Sequence, residues 1–125
     1  MTMRALILDD SRAMRMILRR IMRSAGFEVA EAADGQQGLD ALAAGPLPDV
    51  ALVDWNMPGI DGLAFVTAVR DNPVYRPMTL MMVTTESEHD QVVRALAAGA
   101  HEYIIKPFTA DAIVDKLELL GLLPE

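Results

Sequence analysis

Short blocks of unbroken apolar residues alternate along this chain with longer stretches in which apolar positions recur at helical spacing. Blocks of strand length fall at Ala5–Leu8, Val50–Val53, Leu80–Val83 and Tyr103–Ile105, with a weaker one at Phe27–Ala30. Between the first blocks, Met14, Ile17, Leu18, Ile21 and Met22 follow the i, i+3, i+4, i+7, i+8 pattern of one buried stripe, with Ser11 as N-cap and Gly26 as the stop. A second helix is expected from Asp34, where Asp-x-x-Gln makes a capping-box-like start, to Ala44 before "GPLP" breaks it. A third runs from Asp61 to Asn72 before Pro73, and a fourth from Ser87 to Ala98 with Gly99 ending it. A fifth follows Thr109 and carries Ile113, Val114, Leu117 and Leu120.

Strict alternation of strand and helix implies parallel strands joined by right-handed crossovers, with helices on both faces of the sheet. The fold class expected is therefore α/β: a doubly wound five-stranded parallel sheet with five helices, in a single domain spanning residues 1–125. In such folds the ligand site lies in the loops beyond the carboxyl ends of the strands, where strand order reverses. That rule decides which residues can meet.

Composition narrows the chemistry. A chain of 125 residues, 52% hydrophobic and 23% charged, matches one ordinary globular domain. With no cysteine there is no thiolate zinc site and no cysteine nucleophile. A formal charge of −7 argues against nucleic acid as a partner, since phosphate contacts demand a basic face. No apolar run approaches the roughly 20 residues that span a bilayer, and no secretory signal layout opens the chain, so no membrane insertion and a cytoplasmic location are expected. Charge is unevenly spread, however: five of the eleven basic residues, Arg12, Arg15, Arg19, Arg20 and Arg23, fall on the first helix, opposite its apolar stripe.

Reading off the carboxyl end of each strand gives Asp9 and Asp10 after the first, Asp54 after the third, Thr84 after the fourth and Lys106 after the fifth. Each alone has an ordinary reading: an acidic pair complements a helix dipole, a threonine caps a strand, a lysine faces water. Together they converge at one end of one sheet. Two carboxylates about 5 Å apart repel by roughly 3 kcal/mol at an effective dielectric near 20, so a positive group belongs among them. A shallow site of carboxylates, carbonyl and water suits Mg²⁺. Such a cation, a spare carboxylate, a lysine and a hydroxyl meet the demands of phosphoryl transfer, with Asp54 as nucleophile and Lys106 and Thr84 contacting the phosphoryl oxygens.

The segments "LILDDS", "VDWNMPGIDG", "MVTTE" and "YIIKPF" resemble, at their mutual spacings, the receiver domains of two-component response regulators, in particular the CheY-like single-domain chemotaxis type. The resemblance spans nearly the whole chain. It implies that Asp54 is the phosphoacceptor, and that Asp10 and Asp54 bind Mg²⁺ directly with the backbone carbonyl of Asn56, Asp9 acting mainly through water. It implies a cis Lys106–Pro107 bond, a switch formed by Thr84 and Tyr103, and tuning of dephosphorylation by Asn56 and Glu86. The partners implied are a histidine kinase or phosphotransfer domain, and a downstream protein that reads the fourth helix, fifth strand and fifth helix. The protein would be a phosphoacceptor in a phosphorelay rather than an enzyme, acting in chemotaxis or motility signalling. Two departures stand out: Thr85 where alanine or glycine is usual, and Glu102 where glycine is frequent.

Other readings remain open on the residues alone. A phosphorelay intermediate would pass its phosphoryl group to a further histidine protein. A flavodoxin-like FMN carrier shares the expected fold, but its phosphate needs a Ser/Thr/Gly-rich cradle where this chain has "DDSR". A phosphohydrolase with an aspartate nucleophile would need a substrate-selecting segment that so short a chain lacks. The arginine stripe is either a solvated face or a docking face for an acidic phosphodonor domain. His89 and His101 read as surface residues.

Overall fold

The apolar blocks at residues 5–8, 50–53 and 80–83 become strands buried throughout because helices cover both of their faces, the condition under which a strand has no polar side to show. The computed structural model describes residues 2–123. Its elements are β1 (Met3–Leu8), α1 (Arg12–Ser24), β2 (Phe27–Ala32), α2 (Gly35–Ala44), β3 (Val50–Val53), α3 (Gly62–Asp71), β4 (Thr79–Thr84), α4 (His89–Ala98), β5 (Glu102–Ile105) and α5 (Ala110–Leu119). A 3₁₀ turn at Pro73–Tyr75, not anticipated from the pattern, links α3 to β4. The five strands form one parallel sheet in the order β2-β1-β3-β4-β5. The expected doubly wound α/β architecture is the observed one.

The two-residue period of a strand sorts the core into two layers. Leu6, Leu8, Ala51, Val53, Leu80 and Met82 pack with Phe65, Val66 and Val69 of α3 and Leu42 of α2. Their neighbours Ala5, Ile7, Val50, Leu52, Met81 and Val83 pack on the other side with Leu18 and Met22 of α1 and Ile113 and Leu117 of α5. Burial of one such large side chain contributes about 1.5–3 kcal/mol, so the two layers dominate the favourable side of folding. No helix among the described residues is long and apolar enough to cross a membrane.

Helix starts follow the capping residues seen in the chain. Ser11, Asp34, Asp61 and Thr109 each accept a backbone N–H from three residues on, at Met14, Gln37, Ala64 and Ala112. Gly26, just past α1, takes φ 101°, a conformation open to glycine.

Three expectations shift. Ile17 is 48% exposed rather than buried, because α1 rests on the sheet through Leu18 and Met22, leaving Ile17 at the solvent edge of the stripe. Helix α4 begins at His89, two residues later than expected, with Glu88 as its N-cap. Strand β2 is not weak: it pairs with β1 over all six residues to Ala32. It is an edge strand with half of its side chains towards water, so its sequence looks less apolar than its hydrogen bonding warrants.

Candidate functional site

Strand β1 lies between β2 and β3, so the chain winds one way from β1 to β2 and the other way from β3 onwards. The crevice at the carboxyl ends of β1 and β3 is the point where strand order reverses. The residues just past the strands are held there by ladder bonds that run one step beyond them. Asp9 N donates to Ala32 O at 3.1 Å, Asp54 N to Leu8 O at 2.9 Å and Lys106 N to Thr84 O at 2.8 Å. The buried polar or charged residues among those described, Asp9, Asp54 and Thr84, all belong to this rim.

The five residues read from the strand ends do converge. Asp9, Asp10 and Asp54 each offer a carboxylate oxygen within 4.8 Å of the others, Asp10 being the exposed member. Lys106 Nζ bridges two of them, 2.8 Å from Asp9 Oδ2 and 3.3 Å from Asp54 Oδ2. Asp9 is fully engaged, since its Oδ1 accepts the N–H of Ser11 at 2.9 Å. Asp54 is not: its Oδ1 is buried and has no hydrogen-bond partner among the described residues. An unpartnered buried carboxylate oxygen is costly, and hard, oxygen-only surroundings with excess negative charge fit Mg²⁺. The lysine was expected to face the phosphoryl group; it also supplies part of the positive charge that the carboxylates require.

At the opposite lip of the crevice a second group of contacts gathers on Glu86. Asn56 Nδ2 donates to Glu86 Oε1 at 2.6 Å and Gln91 Nε2 to Oε2 at 2.9 Å. These donors, Asn56 first, hold the Glu86 carboxyl below the usual carboxylate range. The backbone N–H of Glu86 donates to Thr84 Oγ1 at 3.3 Å, and Tyr103 OH donates to Glu86 O at 2.6 Å. Burial, then the charges of Glu86 and Asp54, push the Tyr103 phenol above its ordinary value. The Tyr103 hydroxyl thus bonds the Glu86 carbonyl from a half-buried ring.

Several contributors escaped the sequence reading. Arg15 Nη1 donates to the Asp9 carbonyl at 2.7 Å while its Nε lies 3.3 Å from Glu31, so this arginine braces the loop that carries the acidic pair. Arg19 joins the same Glu31 at 2.7 Å, and the stripe on α1 is therefore only partly free. The Arg94 guanidinium sits 5.9 Å from the ring centre of Trp55, the residue after Asp54. A Cβ on Gly62 would collide with the Asp54 carbonyl oxygen, so only glycine lets α3 start this close to the acceptor turn. Asn56 and Thr85 are exposed, the Lys106–Pro107 bond is cis, and Glu102 pairs with Lys116 at 3.2 Å. Both histidines are exposed, as expected; His101 also accepts the Leu80 N–H on Nδ1 at 3.1 Å and lies far from the site, at the other end of β4.

Comparison with known proteins points one way. The sequence profile of the response regulator receiver domain matches residues 5–118. The chemotaxis protein CheY of Pseudomonas aeruginosa is 40% identical over 117 residues, covering 93% of this chain and 94% of that one. The chemotaxis protein CheY1 of Helicobacter pylori is 38% identical over 119 residues, covering 94% and 96%. Among solved structures, chemotaxis protein CheY4 of Vibrio cholerae superposes with a TM-score of 0.88 at 32% identity, covering 95% of this chain and 98% of that one.

Proposed function

We propose, since this chain belongs to the response regulator receiver domain family, that residues 1–125 form a single cytoplasmic receiver domain acting as a phosphoacceptor switch in chemotaxis-type signalling. The observation that carries the reading is the Asp54 carboxylate, buried at the strand-order reversal with one oxygen against Lys106 and the other unpartnered among the described residues. An Asp54 oxygen attacks the phosphorus of a phosphohistidine presented by a histidine kinase or phosphotransfer domain. The N–P bond breaks, its electron pair stays on the imidazole nitrogen, which takes up a proton, and an acyl phosphate forms. Lys106 balances charge on the phosphoryl oxygens, and Thr84 Oγ1 is the hydroxyl available to donate to them. Asp10, Asp54 and the Asn56 carbonyl would hold Mg²⁺, with Asp9 assisting through water; bound there, the ion neutralises charge on the transferring group.

Thr84 already contacts the Glu86 backbone, to which Tyr103 also bonds, so a Thr84 hydroxyl drawn to a phosphoryl group alters the seat of the tyrosine. That differential contact is what a population shift requires. The surface reading the change combines α4, β5 and α5, where Val93, Leu96 and Ile105 stand exposed to receive a partner protein. The relatives named chemotaxis proteins support an output in motility.

Incubation with Mg²⁺ and acetyl phosphate should add one phosphoryl mass to the parent protein and none to Asp54→Asn. Equal labelling of the variant would move the acceptor elsewhere.

A further inference from the structure

Gln91 does two things with one side chain. Its Oε1 accepts the backbone N–H of Glu88 at 3.3 Å, the ordinary service of a glutamine at the third position of a helix. A cap needs only that acceptor. The amide group is left over, and it donates to Glu86 Oε2 at 2.9 Å while Asn56 donates to Oε1. One donor alone leaves a partly exposed glutamate free to swing about that bond. Two donors, from the loop after β3 and from α4, fix the plane of the carboxylate against the entropy of a long side chain.

We propose that Gln91 is a positioning residue that locks the Glu86 carboxylate beside Asn56 and thereby sets the rate at which water hydrolyses the acyl phosphate on Asp54. This rests on the phosphoacceptor reading above and on the tuning of dephosphorylation by Asn56 and Glu86 that the family resemblance implies. In that hydrolysis the water oxygen attacks phosphorus, the bond from phosphorus to the Asp54 oxygen breaks, and its electron pair restores the carboxylate. The water protons leave with inorganic phosphate and solvent. The locked pair of Glu86 and Asn56 presents a fixed set of polar atoms to the entering water. Released by the loss of Gln91, the Glu86 side chain turns to solvent and the water loses its orientation.

The variant that separates the two services is Gln91→Glu, which keeps the capping acceptor but removes the donor and sets a second carboxylate beside Glu86. Protein phosphorylated with acetyl phosphate and Mg²⁺ is freed of donor, and the decay of the phosphoryl mass is followed. The half-life should lengthen about threefold to tenfold, the rate equivalent of one net hydrogen bond, at unchanged melting temperature. The same substitution should do nothing in a Glu86→Ala background. If Gln91→Glu itself lowers the melting temperature, Gln91→Met removes the donor without adding charge and should show the same lengthening.

An unchanged or shortened half-life, or an equal effect without Glu86, would overturn the proposal. A second measurement does not depend on phosphorylation: the side-chain amide protons of Gln91 should exchange slowly with water in the parent and rapidly in Glu86→Ala. Equal exchange in both overturns the proposal while leaving the Asp54 reading intact. A parent protein that takes up no phosphoryl group overturns both.

Discussion

At the amino-terminal end of the sheet, Asp49 Oδ2 accepts the N–H of Arg4 at 2.8 Å and His101 Nδ1 accepts that of Leu80 at 3.1 Å. At the carboxyl-terminal end, Asp54 Oδ1 stays without a partner among the described residues, and of three clustered carboxylates two, Asp9 and Asp54, share one lysine. Polar side chains at the first end complete the backbone ladder and lower the free energy of the fold. At the second, a well-paired backbone holds the Asp54 carboxylate short of satisfaction, which keeps it available to a ligand. The contrast yields four measurements, the first of which concerns backbone rather than side chains.

Gly62→Ala forces a methyl group onto the Asp54 carbonyl and should lower unfolding free energy by about 2–3 kcal/mol in urea titration. A loss near zero would mean that the acceptor turn yields, and the contrast between firm backbone and open side chains would be broken. Next, Mg²⁺ at ten times its dissociation constant should stabilise the parent by about 1.4 kcal/mol, seen as a raised melting temperature that Asp10→Ala abolishes. No shift in the parent would mean that the carboxylates are already balanced without a cation.

Measured without Mg²⁺, Asp54→Ala should raise stability by about 1 kcal/mol, since it removes a buried unpartnered oxygen and a share of the repulsion. Asp49→Ala should lower it by about 1 kcal/mol, the net worth of the hydrogen bond that Asp49 makes to the Arg4 N–H. Like signs for the two variants would erase the distinction between the ends.

The smallest effect concerns His101. Burial, then the nearby charge of Arg70, lowers its pKa below the ordinary 6.5, so the folded state favours the neutral ring that accepts the Leu80 N–H. The unfolded chain binds the proton more readily, and the stability contributed by the neutral ring is present above that ordinary value. It is lost as pH falls from there through the depressed folded value. The melting temperature should therefore drop more between pH 7.5 and 5.5 in the parent than in His101→Gln, and parallel curves would assign the histidine no part in the ladder.

Legibility differed between elements for physical reasons. Strand β3 was read to the residue because both its faces are covered and every residue in it is buried. Strand β2 looked weak because an edge strand shows Glu28, Ala30 and Glu31 to water. The start of α4 lies later than the pattern predicts because Ser87 and Glu88 are both plausible caps, and the choice falls to Gln91 reaching back to Glu88. In the site, Asp9, Asp10, Asp54, Thr84 and Lys106 could be picked out because strand ends in a parallel sheet share one rim. Arg15, Gln91 and Arg94 could not, since each looks like an ordinary helix-surface residue until its partner is known.

Taken by itself, the order of residues determined the kind and succession of the elements, because the period of apolar positions follows directly from local backbone geometry. It also determined which residues end on the common rim. Only the folded arrangement decided that Lys106 lies against Asp9, 97 positions away, and that Asn56 meets Glu86 across 30. Such pairs depend on strand order, register and rotamer, which are set by the packing of the whole sheet and are not written in any one segment.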